Sequence, residues 1–240
     1  MEHFCFSDQF GENWFSFSKL YSEMVKHFPD GSHFIEIGSW KGRSAAYLAV
    51  EIINSQKNIK FDCIDIWENS HFYSEKMVGQ GYPTFSENLY QTFLNNITPV
   101  SHIINPVQSD SSAAAKTYAD NSVNFIFIDG DHSYEGIKKD LECWLPKIKD
   151  GGIIAGHDYH YDPIKRAVKE IFGIGDYSDP WGNGCFIAKV NTNYERVFKL
   201  KQLFDQGRYS PESQEELENL KTNYKKMINC KIEKFTGDAK

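Results

Sequence analysis

Two short segments of this sequence collect groups able to hold a cation or move a proton. Asp129-Gly130-Asp131-His132 follows an apolar run at 123–128, and His157-Asp158-Tyr159 follows another at 153–156. Asp129, His157 and Asp158 thus stand at the ends of two runs that read as neighbouring strands, so they can converge. Oxygen-rich sites suit Mg2+, whereas the imidazole of His157 favours Mn, Fe or Zn. His132 opens a helical segment three residues past Asp129. Asp131 beside it can orient that imidazole or cap the helix, and capping is the commoner job of an acidic residue there. A third segment, Phe-Ile-Glu-Ile-Gly-Ser-Trp-Lys-Gly-Arg-Ser at 34–44, runs from an apolar stretch carrying Glu36 into a turn with Gly38 and Gly42. Glycine has no Cβ and lets a ligand approach bare backbone, and the helix beginning at Ser44 offers unpaired N–H groups. The spacing is shorter than the dinucleotide fingerprint Gly-x-Gly-x-x-Gly and lacks the Lys-Ser/Thr ending of a phosphate loop. It suits a nucleoside without a pyrophosphate, with Glu36 placed to serve a cationic or amino-acid moiety.

Holding these groups in one place requires alternating strands and helices. Strands are expected at 33–37, 59–66, 101–105, 123–128 and 153–156, then a final pair whose second member is 185–190. Helices are expected at 12–28, 44–54, 84–97, 109–118, 133–145 and 163–172. Trp14, Phe15, Phe17, Leu20, Tyr21, Met24, Val25 and Phe28 follow an amphipathic helical pattern. Ser109-Asp110-Ser111 carries an N-cap signature, and Pro163 suits a first helical turn. The run 123–128 is nearly all apolar, as a strand covered on both faces should be. The alternation predicts an α/β fold, a mostly parallel sheet with helices on both faces. Ligands of such sheets bind beyond the carboxyl ends of the strands, where Gly38, Asp65, Ser109 to Ser111, Asp129 to His132 and His157-Asp158 all collect.

The 240 residues are enough for one domain with a full core. A net charge of −7 without a basic face argues against nucleic acid as a partner. The start, Met1-Glu2-His3-Phe4-Cys5, lacks the basic and apolar regions of a signal peptide. No apolar run approaches the roughly 20 residues of a membrane span, so a soluble, cytoplasmic protein with no membrane partner is expected. Cys5, Cys63, Cys143, Cys185 and Cys230 are scattered, which disfavours zinc and disulfide frameworks alike. Segment 68–83, with Gly79, Gly81 and Pro83, is too long for an ordinary connection and is a candidate lid. The charged tail shows helical patterns at 192–206 and 212–230 that suit an accessory surface.

Four segments in order carry a resemblance: residues 34–44 above, Ile-Asp-Ile-Trp at 64–67, Phe-Ile-Phe-Ile-Asp-Gly-Asp-His-Ser-Tyr-Glu-Gly-Ile-Lys-Lys-Asp-Leu at 125–141, and Gly-Gly-Ile-Ile-Ala-Gly-His-Asp-Tyr at 151–159. Together they resemble a class I S-adenosylmethionine-dependent methyltransferase, in the group of the macrocin and mycinamicin sugar O-methyltransferases and the cephalosporin hydroxylase-like proteins. The likeness covers residues 31–190, leaving 1–30 as an N-terminal helical flank and 191–240 as a C-terminal helical appendage. It implies a Rossmann-like, seven-stranded sheet whose last strand is antiparallel. It also implies that Glu36, Gly38, Ser39 and Gly42 line the methionine half of S-adenosylmethionine. Asp65 would accept both ribose hydroxyls, a job that suits an acceptor-only carboxylate. Trp67 would wall the same pocket, Asp110 and Ser111 would meet the adenine edge, and Asp129 would lie near the sulfonium.

Methyl transfer is an in-line displacement on an already activated donor, so the enzyme must align the acceptor and help remove its proton. A histidine base or a divalent cation that lowers the hydroxyl pKa would serve. The resemblance implies a metal at Asp129, His157 and Asp158, with His157 standing where a carboxylate is more usual, and a general base at His132. Tyr73, Tyr82, His160, Tyr161 and Trp181 are candidate walls for a sugar or natural-product acceptor, each ring offering an apolar face and a polar edge. Helical flanks of this kind imply a homo-oligomer. Two other readings compete. An NAD(P)-dependent oxidoreductase would need the Gly-x-Gly-x-x-Gly turn, where the sequence has Gly-Ser-Trp-Lys-Gly instead. A non-catalytic cofactor-binding subunit is compatible with the charged tail.

Overall fold

A computed structural model describes residues 1–67, 88–173 and 176–190 of the chain. Within them six strands form one sheet in the order β3-β2-β1-β4-β5-β6. They are β1 (His33–Ile37), β2 (Lys60–Asp65), β3 (Ile104–Gln108), β4 (Val123–Ile128), β5 (Ile148–Gly156) and β6 (Phe186–Lys189). All neighbours pair in parallel except β5 and β6, which are antiparallel. Helices α1 (Ser18–His27), α2 (Arg43–Ser55), α3 (Leu89–Asn96), α4 (Ser111–Ala115), α5 (Tyr134–Trp144) and α6 (Asp162–Phe172) accompany the strands. The strand order reverses between β1 and β4, and the crevice at such a switch point is where open α/β sheets take ligands.

The sheet is apolar on both faces, and its alternation sorts residues by shape. Phe34, Phe125 and Phe127 join the layer containing Tyr21, Ala46, Val50 and Phe93. Ile35, Ile37, Ile126 and Ile128 point into the other layer with Leu141, Trp144, Val168 and Ile171. In β1 and β4, therefore, phenylalanines face one side and isoleucines the other, on the two faces that a period of two separates. Side chains cap three of the helices: Asn88 Oδ1 accepts from the Gln91 N–H, Asp110 Oδ1 from Ala113 and Ser133 Oγ from Gly136.

Three expectations change. Six strands, not seven, are present among the described residues. In place of the first member of the final pair, Ser178 makes an isolated antiparallel bridge to Phe186. The buried Asp179 carboxylate explains this, because it accepts N–H groups from Trp181, Asn183 and Cys185 and curls 179–185 into a loop. The first helix begins at Ser18 rather than residue 12. Trp14, Phe15 and Phe17 instead dock individually, Trp14 on Trp40, Phe15 on Tyr47 and Phe17 on Phe127, so their spacing reflects three separate partners rather than one helical face. The third strand lies at Ile104–Gln108, later than expected, behind a 3-10 turn at Thr98–Val100. Its Pro106 is tolerated because β3 is an edge strand. The lid segment and the C-terminal appendage lie outside the described residues, as do Tyr73 and Tyr82.

Candidate active site

Beyond the carboxyl ends of β1 and β4 the backbone is drawn tight. The Asp129 N–H donates to the Ile37 carbonyl at 2.8 Å, and the Gly38 N–H donates to Ile64 at 2.8 Å. Gly38 has φ +85°, and a Cβ there would lie 2.2 Å from the Asp129 carbonyl oxygen. Gly42 also has φ +85°, and its Cβ would press on Phe93 and Ile97 at 2.9 Å. Both glycines are therefore demanded by neighbouring protein atoms, which differs from the expectation that they clear space for a ligand.

Glu36 is 1% exposed at the centre of the sheet. The Tyr21 hydroxyl donates to its Oε2 at 2.6 Å. Burial pushes the carboxyl up to about 7, although the hydrogen bond from Tyr21 and the nearby hydroxyls of Ser39 and Ser44 favour ionisation. Oε1 and the Ser39 Oγ are both buried without a well-formed hydrogen bond. Asp65 braces two strained turns. Its Oδ2 accepts from the Trp40 N–H and its Oδ1 from the Trp67 N–H, both at 2.8 Å, and each tryptophan has φ 44°. Burial raises the Asp65 pKa against these backbone donors. Trp67 was expected in a pocket wall, yet its indole is buried against Tyr90 and Phe93 and its Nε1 donates to the Trp40 carbonyl.

At the β3 side Asp110 is exposed and acts as the cap of α4, and Lys139 Nζ approaches it at 3.6 Å. Ser111 Oγ accepts from Trp144 Nε1 at 2.7 Å, so this hydroxyl ties α4 to α5. Asp140, which the sequence pattern did not single out, is buried beside Ser111 with its carboxyl raised by burial to about 6. Asp131 accepts the Ser133 N–H at 2.8 Å and braces the turn ahead of α5, while Ser133 is the cap itself.

The ends of β4 and β5 bring Asp129, His132, His157 and Asp158 close to one another. His132 Nε2 lies 3.4 Å from both Asp129 Oδ1 and Asp158 Oδ2. His157 Nδ1 lies 3.6 Å from Asp129 Oδ1 and from Asp158 Oδ1. One ligand atom each from Asp129, His132 and Asp158 falls within 4.8 Å of the others, a spacing able to hold a metal ion, with His132, expected as the base, in the place expected of His157. Asp158 takes φ 56°, a left-handed conformation in the turn after β5. The His132 side chain is 39% exposed and that of His157 13%, so His132 is the imidazole that reaches solvent. Burial alone would lower both histidines, but the Asp129 hydrogen bond and the charges of Asp129 and Asp158 outweigh it, and both are raised. Asp129 is lowered: burial opposes this, and the two imidazoles overcome it. His160 reaches within 3.9 Å of Asp158, and Tyr161 is half exposed beside it. Trp181 is held against the aromatic layer by its own loop.

One partner of this cluster comes from outside every motif. Ser16 Oγ is 3.1 Å from His157 Nε2, and Phe17 packs on the same ring at 5.0 Å. The only signal in the sequence was the density of aromatics at 14–17, which does not name the serine between them.

A family described as a methyltransferase domain matches residues 35–159. The O-methyltransferase NovP superposes with a TM-score of 0.54 at 17% identity, covering 73% of this chain and 80% of that one, which shows the shared fold. A Corynebacterium glutamicum protein gives a TM-score of 0.49 at 15% identity over 72% of this chain and 80% of its own. The uncharacterized protein y4gI of Sinorhizobium fredii is 23% identical over 156 residues, 58% of this chain, and the matched part is 15% of that protein's length. Among the described residues no helix is long and apolar enough to cross a membrane. The family match spans more than half the chain and runs from β1 to the residue after Asp158, and on it the chain belongs to this methyltransferase-domain family, whose members depend on S-adenosylmethionine.

Proposed function

We propose that the protein transfers a methyl group from S-adenosylmethionine to a hydroxyl of a sugar or small natural-product-like acceptor, with a divalent cation at the Asp129 cluster. The observation that carries this reading is the meeting of two carboxylates and two imidazoles at adjoining strand ends, with Asp129 also the residue that Gly38 packs against. The donor fits the residues around β1. Oε1 of Glu36 and Oγ of Ser39 are buried polar atoms with unused capacity, suited to the ammonium of the methionine half. The Asp65 carboxylate, an acceptor-only group already ordered by backbone N–H donors at the turn, suits the ribose hydroxyls.

When bound, the donor supplies an activated methyl on sulfur. A cation held by Asp129, His157 and Asp158 would lower the pKa of an acceptor hydroxyl. Asp129 and Asp158 would offer hard oxygen ligands, and the imidazole of His157 would shift the preference from Mg2+ toward Mn2+, Fe2+ or Zn2+. His132 receives the hydroxyl proton: it is the exposed imidazole, and the two carboxylates at 3.4 Å stabilise the imidazolium that results. Asp110 and Ser111 bound the adenine end through the backbone of the β3 turn, since their side chains are committed to α4 and Trp144.

The test is a library of hydroxylated acceptors offered with methyl-labelled donor, with and without a chelator. Label transfer that is lost with the chelator and restored by Mn2+ or Mg2+ is the expected result. Calorimetric binding of NADH but not S-adenosylmethionine would refute the reading.

A further inference from the structure

We infer that Ser16 is a positioning residue for the proposed transfer site, fixing which nitrogen of His157 carries the hydrogen and leaving the other bare toward the carboxylates. This rests on the function proposed above for its purpose, but its geometry stands alone. Ser16 Oγ contacts two atoms, the Asn183 carbonyl oxygen at 2.9 Å and His157 Nε2 at 3.1 Å. A carbonyl oxygen only accepts, so the single hydroxyl proton of Ser16 goes to Asn183. What remains on Oγ for His157 is a lone pair, and Nε2 must therefore carry its hydrogen. That holds whether the ring is neutral or charged. In the neutral ring the other nitrogen, Nδ1, is then the bare one, and it is Nδ1 that stands 3.6 Å from both Asp129 and Asp158.

A lone pair aimed between two carboxylates is an unfavourable arrangement unless a cation sits among them, so the tautomer that Ser16 selects is the one that makes His157 a ligand. The second contact of a metal-binding histidine commonly sets its tautomer in this way. Here the contact comes from a hydroxyl whose own direction is locked. Asn183 is held in place by its N–H donating to both oxygens of Asp179 at 3.2 and 3.0 Å. Ser16 is held by its neighbours in sequence. Trp14 stacks on Trp40 at 4.7 Å, and the buried Phe17 lies against Phe127 at 4.4 Å and the His157 ring at 5.0 Å. Ser16, Asp179 and Asn183 all lie outside the family match at 35–159, so this is a device of the chain's own flanks.

Ser16 is exposed, and Ser16→Ala and Ser16→Thr will fold. The full chain, with its histidine rings labelled in nitrogen-15, is examined by two-bond proton–nitrogen correlation at a pH high enough to neutralise the rings, with His157→Gln assigning the signals. Wild type should show His157 protonated at Nε2 and bare at Nδ1, Ser16→Ala a mixture of tautomers, and Ser16→Thr the wild-type pattern. Zn2+ alone, titrated calorimetrically, should bind about tenfold more weakly to Ser16→Ala and normally to Ser16→Thr. A hydrogen on Nδ1 in wild type, an unchanged ring in Ser16→Ala, or equal Zn2+ affinity overturns the assignment. The ring spectra need neither donor nor acceptor. Absent methyl transfer with the expected spectra and Zn2+ affinities would sink the proposed function and leave Ser16 its role.

Discussion

Replacing Glu36 with glutamine should stabilise the ligand-free protein, and increasingly so as the pH rises. The wild-type carboxyl ionises in the unfolded chain near 4.5 but in the fold only at about 7. The folded state thus holds this proton more tightly than the unfolded chain does. The stabilisation is fully present below 4.5 and is lost as pH rises through about 7. One pKa unit corresponds to about 1.4 kcal/mol, so between about pH 5 and about pH 8 the wild type gives up about 2–3 kcal/mol at this residue. Glutamine keeps the shape, accepts the Tyr21 hydroxyl through its carbonyl oxygen and carries no charge. Urea denaturation followed by tryptophan fluorescence at several pH values measures both proteins, and the quantity of interest is the difference between them. That difference should move in favour of Glu36→Gln by about 2–3 kcal/mol from the acid to the alkaline end. The same variant should bind S-adenosylmethionine more weakly, because a neutral amide attracts an ammonium less than a carboxylate does. A stability difference that stays flat with pH would refute the assignment of Glu36 as a carboxylate held against its own desolvation.

Asp62 should behave in the opposite sense. It is fully buried, bonded to His33 at 2.8 Å, Tyr118 at 3.0 Å and Asn105 at 2.9 Å. Burial opposes its ionisation, but these partners and Lys60 hold the carboxyl down at about 2 against an ordinary 3.8. Its stabilisation is present above 3.8 and lost as pH falls through about 2, a contribution of about 2–3 kcal/mol. Asp62→Ala should cost about 3 kcal/mol at neutral pH by urea denaturation; a loss under about 0.5 kcal/mol would be the signature of a surface pair instead. Gly38→Ala should cost more than about 2 kcal/mol and abolish turnover, since its Cβ would meet the Asp129 carbonyl in a left-handed backbone; a folded, active variant would contradict that contact. Asp129→Asn should lower the titration midpoints of both His132 and His157, read by proton NMR, because Asp129 is what outweighs their burial. Unmoved midpoints would break the cluster as described.

The sheet was legible in the sequence because it is apolar on both faces: the runs around Phe34, Cys63, Phe125 and Ile154 announce buried parallel strands without help from tertiary context. The convergence of Asp129, His132, His157 and Asp158 was legible for the same reason, since parallel strands deliver their carboxyl ends to one edge. Roles were harder to read than positions. Asp65, Ser111, Trp67 and the two glycines lie where the pattern put them, but each is already engaged by protein atoms, through contacts made across 25 or more residues. The residues proposed to order the cluster, Ser16 and Asp179, belong to segments with no periodic signal for that task. Trp14, Phe15 and Phe17 were misleading because three rings docking on three partners imitate one helical face.

The seam at Gly38 carries a consequence for how this molecule can move. The peptide that follows β1 and the peptide of Asp129 interlock with no space for even a methyl group. On the function proposed above, the shelf for the methyl donor and the shelf for the acceptor are parts of one block and cannot slide past one another. Whatever gap an incoming acceptor requires must then open along some other boundary than this seam.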